Sequence, residues 1–131
     1  MILDSSVLIA AERGMLDLDE RLALAPEEPV AIAAITASEL LLGVASADGS
    51  ARRTKRLAFV EWVLGNIRLI PFGLPEARVH SRLWAEIRAA GAGVGAHDLL
   101  IAATAVAGEE RLITRDARHF ARVPGLRWER W

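Results

Sequence analysis

The sequence predicts an α/β domain built on a mainly parallel central sheet. Two observations carry that reading. Short apolar runs suited to buried strands recur along the chain, and each leads at once into a polar residue and a helical stretch. Strand and helix therefore alternate, the order of a parallel sheet with helical crossovers. In addition, the run from Val30 to Ile35 is apolar throughout, as a parallel strand covered on both faces should be.

Taken in order, Ile2-Leu3 reads as the first strand and leads through Asp4-Ser5-Ser6 into a helix reaching about Glu12. Val30 to Ile35 reads as the second strand, followed by Thr36-Ala37-Ser38-Glu39 and a helix through about Ala45. Gly43 to Ser50 supplies turn residues, and Ser50 to Asn66 reads as a helix with Leu57, Val60 and Leu64 on one face. A strand at Arg68 to Phe72 precedes a helix from about Pro75 to Ala90. The Gly91-Ala92-Gly93-Val94-Gly95 segment is a loop. Ala96 to Ala107 is a helix apolar nearly all round, and so buried. Leu112-Ile113 leads into Thr114-Arg115-Asp116 and a short helix near Phe120, and Leu126 to Trp128 reads as a closing strand. Right-handed crossovers would bring the strand C-termini to one edge, where open α/β sheets bind ligands.

Composition sets the bounds. The 131 residues fit one domain, 1–131, large enough to bury a core unaided. The 53% apolar content lies far from a disordered composition. There is no cysteine, which excludes disulfides and thiolate metal sites and suits a reducing cytoplasm. The longest apolar stretch, near Leu99 to Ala107, is short of the roughly 20 residues that span a bilayer. No basic region precedes an apolar run at the start, so no secretory signal is expected. A net charge of −1 rules out a strongly basic nucleic-acid binder, so any RNA contact must come from local patches or through cations bridging acids to phosphate.

Asp4, Glu39, Asp98 and Asp116 are the candidate site. Each has a structural reading when taken alone. Asp4 is a good helix N-cap, and Thr36-x-x-Glu39 matches a capping box. Asp98 sits in a first helical turn, where the macrodipole favours an anion, and Asp116 follows a strand as another cap would. Together they say more. Asp4, Glu39 and Asp116 fall after predicted strands, so a parallel sheet turns all three toward one crevice, and Asp98 opens the buried helix behind it. Four clustered carboxylates repel one another, and a divalent cation removes the conflict. Hard oxygen ligands suit Mg²⁺ or Mn²⁺. Such an ion acidifies a bound water and stabilises a phosphodiester under attack without a protein nucleophile. Consistently, the chain carries no cysteine, nucleophile elbow, P-loop or dinucleotide-binding glycine fingerprint.

At these residues the chain resembles the PIN-domain ribonucleases, most closely the VapC toxins of bacterial and archaeal toxin–antitoxin pairs. Four segments carry the resemblance: Ile2-Leu3-Asp4-Ser5-Ser6-Val7-Leu8-Ile9; Ala37-Ser38-Glu39-Leu40-x-x-Gly43; Asp98-Leu99-Leu100-Ile101-Ala102-Ala103-Thr104-Ala105; and Leu112-Ile113-Thr114-Arg115-Asp116-x-x-x-Phe120. The resemblance implies a three-layer α/β/α sandwich. It implies a Mg²⁺- or Mn²⁺-dependent endoribonuclease acting on RNA, often tRNA or rRNA. It maps the family's metal-site acids onto Asp4, Glu39, Asp98 and Asp116, and its hydroxyls onto Ser6 and Thr114. It also implies a homodimer and a VapB-like antitoxin whose C-terminal segment covers the site. The chain departs from the pattern at His119, where many relatives carry an acid. If relatives use that acid for a second ion, this protein holds only one firmly.

Other residues have weaker claims. His97 and His119 flank acids and titrate near neutrality, which fits either proton transfer or solvent exposure. His80 is assigned no role. Arg115 and Arg118 are candidates for phosphate or an antitoxin carboxylate. Arg52, Arg53, Lys55 and Arg56 read first as a solvated helix face, and otherwise as an RNA contact. Trp62 and Trp84 read as core or interface residues rather than base-stacking platforms. Two rival functions remain: a nuclease of the same fold acting on DNA, and a non-catalytic RNA- or protein-binding member. Matched RNA and DNA substrates separate the first, and metal-independent binding without cleavage identifies the second.

Overall fold

Five short strands form one sheet in the computed structural model, which describes residues 1–131. They are β1 (Ile2–Leu3), β2 (Ala31–Ala33), β3 (Arg68–Ile70), β4 (Leu112–Thr114) and β5 (Trp128–Arg130). The spatial order is β3-β2-β1-β4-β5, and every pair is parallel. The helices are α1 (Ser5–Glu12), α2 (Leu18–Ala23), α3 (Ala34–Ala45), α4 (Ser50–Asn66), α5 (Leu74–Ala89), α6 (Ala96–Ala107) and α7 (Ala117–Phe120). None is long and apolar enough to cross a membrane.

Alternation along each strand builds two cores. Leu3, Ile32 and Ile113 point to one face, where Val7 and Leu8 of α1, Leu40 and Val44 of α3, and Val60 and Val63 of α4 meet them. Ile2, Ala33 and Leu112 point to the other, against Leu83 and Ile87 of α5, Ile101 of α6 and Phe120 of α7. Both cores are apolar throughout, and each fully buried Leu, Ile or Phe contributes about 1.5–3 kcal/mol. This is the three-layer α/β/α sandwich. Its parallel strands put the ends of β1, β2 and β4 at one edge, where the chain enters α1, α3 and the turn before α7.

The departures from the sequence reading are local. The second strand is Ala31–Ala33, not Val30 to Ile35, because α3 starts directly at Ala34. The third strand stops at Ile70 rather than Phe72, and the closing strand is Trp128–Arg130 rather than Leu126 to Trp128, paired with Leu112–Thr114. The short helix α2 was not expected, although Asp17-Leu18-Asp19-Glu20 carries a start signal: the Asp17 carboxylate accepts from the Glu20 N–H at 2.9 Å. On α4, the buried residues are Val60 and Val63, while Leu57 faces solvent. Trp62 and Trp84 are exposed as well, so neither is a core residue.

Candidate metal centre and active site

β1 ends at Leu3, and Asp4 turns the chain into α1. It is the N-cap of that helix, with extended backbone and Oδ1 accepting from the Ser5 N–H at 2.8 Å. The capping reading therefore holds, but it uses only one oxygen. Oδ2 accepts from Ser6 Oγ at 2.6 Å and from Thr114 Oγ1 at 2.8 Å. Thr114 reaches Asp4 because β4 runs beside β1, with Leu3 opposite Ile113. Each hydroxyl is itself fixed: Ser6 Oγ accepts from the Arg115 N–H at 3.0 Å, and Thr114 Oγ1 from the Asp116 N–H at 2.9 Å. Asp4 is thus held in one orientation while only 4% exposed.

Glu39 lies in the second turn of α3, six residues beyond β2. The capping-box reading fails here. The N-cap is Ala33, no side chain caps the helix, and Thr36 is buried inside the first turn with its hydroxyl unpartnered. The physical reason is that α3 begins two residues before Thr36, so Glu39 is too far along to reach a free N–H. Its Oε1 instead lies 3.0 Å from His97 Nδ1 on α6. Asp98, also on α6, sits in the first turn as expected. Its Oδ2 is 3.1 Å from His119 Nδ1, and the same nitrogen is 3.1 Å from Asp116 Oδ2. Asp116 occupies the N-cap position of α7 without a side-chain cap bond, so its capping reading fails too.

The electrostatics tie the four acids together. Burial pushes the Asp4 carboxyl above its ordinary range, the Glu39 charge adds to this, and the Ser6, Thr114 and Ser5 hydrogen bonds only partly oppose it. Burial also raises Asp98, helped by the charges of Asp4, Asp116 and Glu39, with His119 pulling the other way. Asp98 is raised in part by all three of the other acids, so the four lie near enough to act on one another at the C-terminal edge of the sheet. Glu39 is held by His97, and Asp98 and Asp116 by His119; no three ligand side chains converge on a single point. The donor set nonetheless fits a hard divalent cation: carboxylate and hydroxyl oxygens, with two acids whose ionisation the chain leaves under-compensated.

The structure brings Asp4, Glu39, Asp98, Asp116, Ser6 and Thr114 together. The contribution of Arg115 to this network is its backbone N–H, not its side chain. Two features were read only in part from the sequence. His97 and His119 were open between proton transfer and plain exposure, and both in fact pair with the acids. Gly95, read only as loop, is the N-cap of α6, where a Cβ would lie 3.0 Å from Asp98 Oδ2. The signal available for Gly95 was its position three residues before Asp98, at a helix start.

Residues 1–126 match the family model described as PIN domain. The chain is 33% identical over 126 residues to Ribonuclease VapC1 of Rickettsia felis, spanning 96% of this chain and 92% of that protein. It is 38% identical over 115 residues to Ribonuclease VapC5 of Mycobacterium tuberculosis, spanning 88% and 82% respectively. The fold superposes with a TM-score of 0.90, at 26% identity and 99% and 97% coverage, on a chain of the crystal structure of VapBC2 from Rickettsia felis bound to a DNA fragment from their promoter. The chain belongs to the PIN-domain family and, within it, to the VapC ribonucleases.

Proposed function

We propose that this chain is the ribonuclease toxin of a toxin–antitoxin pair, hydrolysing RNA phosphodiester bonds with Asp4, Glu39, Asp98 and Asp116 as the acids of its metal centre. The carrying observation is the electrostatic one: four carboxylates lie near enough to act on one another at the C-terminal edge of the sheet, and Asp4 and Asp98 are pushed toward protonation there. Relatives named as ribonucleases, matched over nearly the whole chain, support the substrate class. The VapBC neighbours support an antitoxin of VapB type as partner. A homodimer, a tRNA or rRNA target, and a cytoplasmic setting that suits a cysteine-free chain complete the reading.

Family membership brings a divalent cation with it, and we assign Mg²⁺ or Mn²⁺ from the all-oxygen donor set. When bound, the cation supplies an acidified water and charge neutralisation at phosphate. The chain does the rest. Ser6 and Thr114 hold Asp4 to one orientation, so the innermost acid needs no reorganisation when the cation arrives. His97 lies against Glu39, and His119 lies against both Asp98 and Asp116, so each imidazole helps fix the direction of the acids it touches.

The test incubates purified protein with total RNA under Mn²⁺, Mg²⁺ or EDTA, with Asp98→Asn alongside. Discrete fragments that require metal and vanish in the variant support the reading. No cleavage by folded, antitoxin-free protein with either metal contradicts it.

A further inference from the structure

Beside the acid crevice lies a group of cations with almost no internal partners. Arg13 closes α1, and Arg52, Lys55 and Arg56 lie on the opening turns of α4, where they line one surface with Glu12 as the only acid. Arg56 alone has an ion pair, with Glu12 at 3.6 Å, and it also donates to the Gly43 carbonyl at 2.8 Å. Arg56 is therefore a brace between helices, and Arg13, Arg52 and Lys55 are left exposed and unpaired. Elsewhere on the surface Arg82 pairs with Glu86 and Arg68 with Glu110, while Arg78, Arg88, Arg115, Arg118 and Arg130 are exposed singly; what marks this patch is three unpaired cations on one surface beside a site acid.

This surface is continuous with the site. A groove of about 170 Å³ opens between α1, α3 and α4, with Glu39 on its lining and Glu12, Arg13 and Arg56 shared with the cationic surface. Its floor is apolar and includes the half-buried ring of Phe59. The Phe59 ring stacks on Trp62 with centroids 6.3 Å apart, and Trp62 is 45% exposed. A single-stranded nucleic acid needs these features in this combination: an aromatic surface for bases and unpaired cations for the backbone.

We propose that this groove is the track of the RNA strand flanking the cleaved bond, with Phe59 and Trp62 taking bases and Arg13, Arg52 and Lys55 taking phosphates. The inference rests on the ribonuclease reading and adds to it where the substrate lies. The net charge of the chain is −1, so strand binding needs a local basic patch, and this one adjoins a site acid. An acidic peptide is the rival occupant. The aromatic pair and the run of the groove from Glu39 favour the strand, because its scissile phosphate sits at the acids while its neighbours sit at the cations.

The experiment measures binding of a fluorescein-labelled, mixed-sequence single-stranded RNA by anisotropy across salt concentrations. It uses cleavage-disabled Asp4→Asn protein with and without Arg52→Ala/Lys55→Ala, and Arg82→Ala as a paired-cation control. Each lost phosphate contact lowers the slope of log affinity against log salt by about 0.7 for a single strand, so the double change should lower it by about 1.4. Affinity at moderate salt should fall roughly tenfold or more, with Arg82→Ala unchanged. In the cleaving protein, KM should rise more than kcat falls. Equal slopes and affinities overturn the track. So does a double variant that keeps RNA but loses a fluorescent oligoglutamate peptide, which assigns the surface to protein. Binding that depends on Arg52 and Lys55 without any cleavage keeps the track and refutes the ribonuclease reading. Wild-type protein that neither cuts nor binds RNA removes both.

Discussion

The two edges of the sheet treat carboxylates in opposite ways. At the N-terminal edge, Glu110 accepts from the Met1 ammonium at 2.7 Å and from Arg68 at 2.7 Å, while Arg111 bridges Glu28 and Glu129. Burial alone would raise Glu110, but these cations outweigh it and hold its carboxyl below the ordinary range. At the C-terminal edge, Asp4 and Asp98 are raised, because burial and neighbouring acids outweigh hydroxyls and an imidazole. One edge is a finished ion network that stabilises the fold. The other is a set of acids, two of them pushed toward protonation, which we propose a cation completes. If the proposed site is right, fold and function are separated along the strand direction, and substitutions at the two ends should have opposite signatures.

The largest effect is expected at Asp4. Asp4→Asn should lower RNA cleavage by at least a factor of about 100–1,000, since it removes the innermost acid, while far-UV circular dichroism stays native. Cleavage within tenfold of wild type would break the functional half of the comparison.

Glu110→Gln should do the reverse. It leaves the buried Met1 ammonium with Glu28 at 3.4 Å and the Pro29 carbonyl, and should cost roughly 1–3 kcal/mol in urea unfolding with kcat unchanged. The sign follows from the lowered pKa. Its stabilisation is present above the unfolded value near 4.5 and is lost as pH falls through the lower folded value. The difference between variant and wild type should therefore shrink in acid.

A smaller effect sharpens the contrast. The folded pKa of Asp98 is raised, so its neutral form is favoured in the fold and ionisation near neutral pH costs stability. In EDTA at pH 7, Asp98→Asn should be more stable than wild type by about 0.5–1 kcal/mol. The gain should disappear as pH falls below the unfolded value of 3.8, where both states are protonated. A destabilised variant in EDTA would show that Asp98 belongs to the structural class of Glu110.

Gly95→Ala is the subtlest probe. The added Cβ must displace the Asp98 carboxylate by a few tenths of an ångström, because 3.0 Å is too close, while the backbone φ of −61 suits alanine. Cleavage should fall about tenfold, with the melting temperature nearly unchanged. Unchanged cleavage would mean that the position of Asp98 tolerates more movement than the account allows.

The sequence made the sheet and three of the acids legible for a local reason. Asp4, Asp98 and Asp116 each stand where an apolar run meets a helix start, and that junction is written in adjacent residues. Glu39 was read as a site acid with a capping box as its alternative; the alternative fails because the boundary between β2 and α3 lies inside one apolar run with no polar residue to mark it. The pairing of His97 with Glu39 spans 58 residues, and only the packing of α6 against α3 creates it. The role of Arg13 in the cationic surface was equally hidden, since α1 and α4 meet only in three dimensions. The tryptophans were read as core or interface residues, and exposure removes only the core reading, because helical periodicity gives a preferred face, not its partner.

The most direct measurement is the melting temperature as Mn²⁺ is titrated into wild-type protein and Asp98→Asn. A cation held by the C-terminal acids should stabilise the wild type by about 2.7 kcal/mol at a hundredfold excess over its dissociation constant, with much less effect on the variant. Equal shifts in both proteins, or none in either, would contradict the claim that these acids form a metal centre.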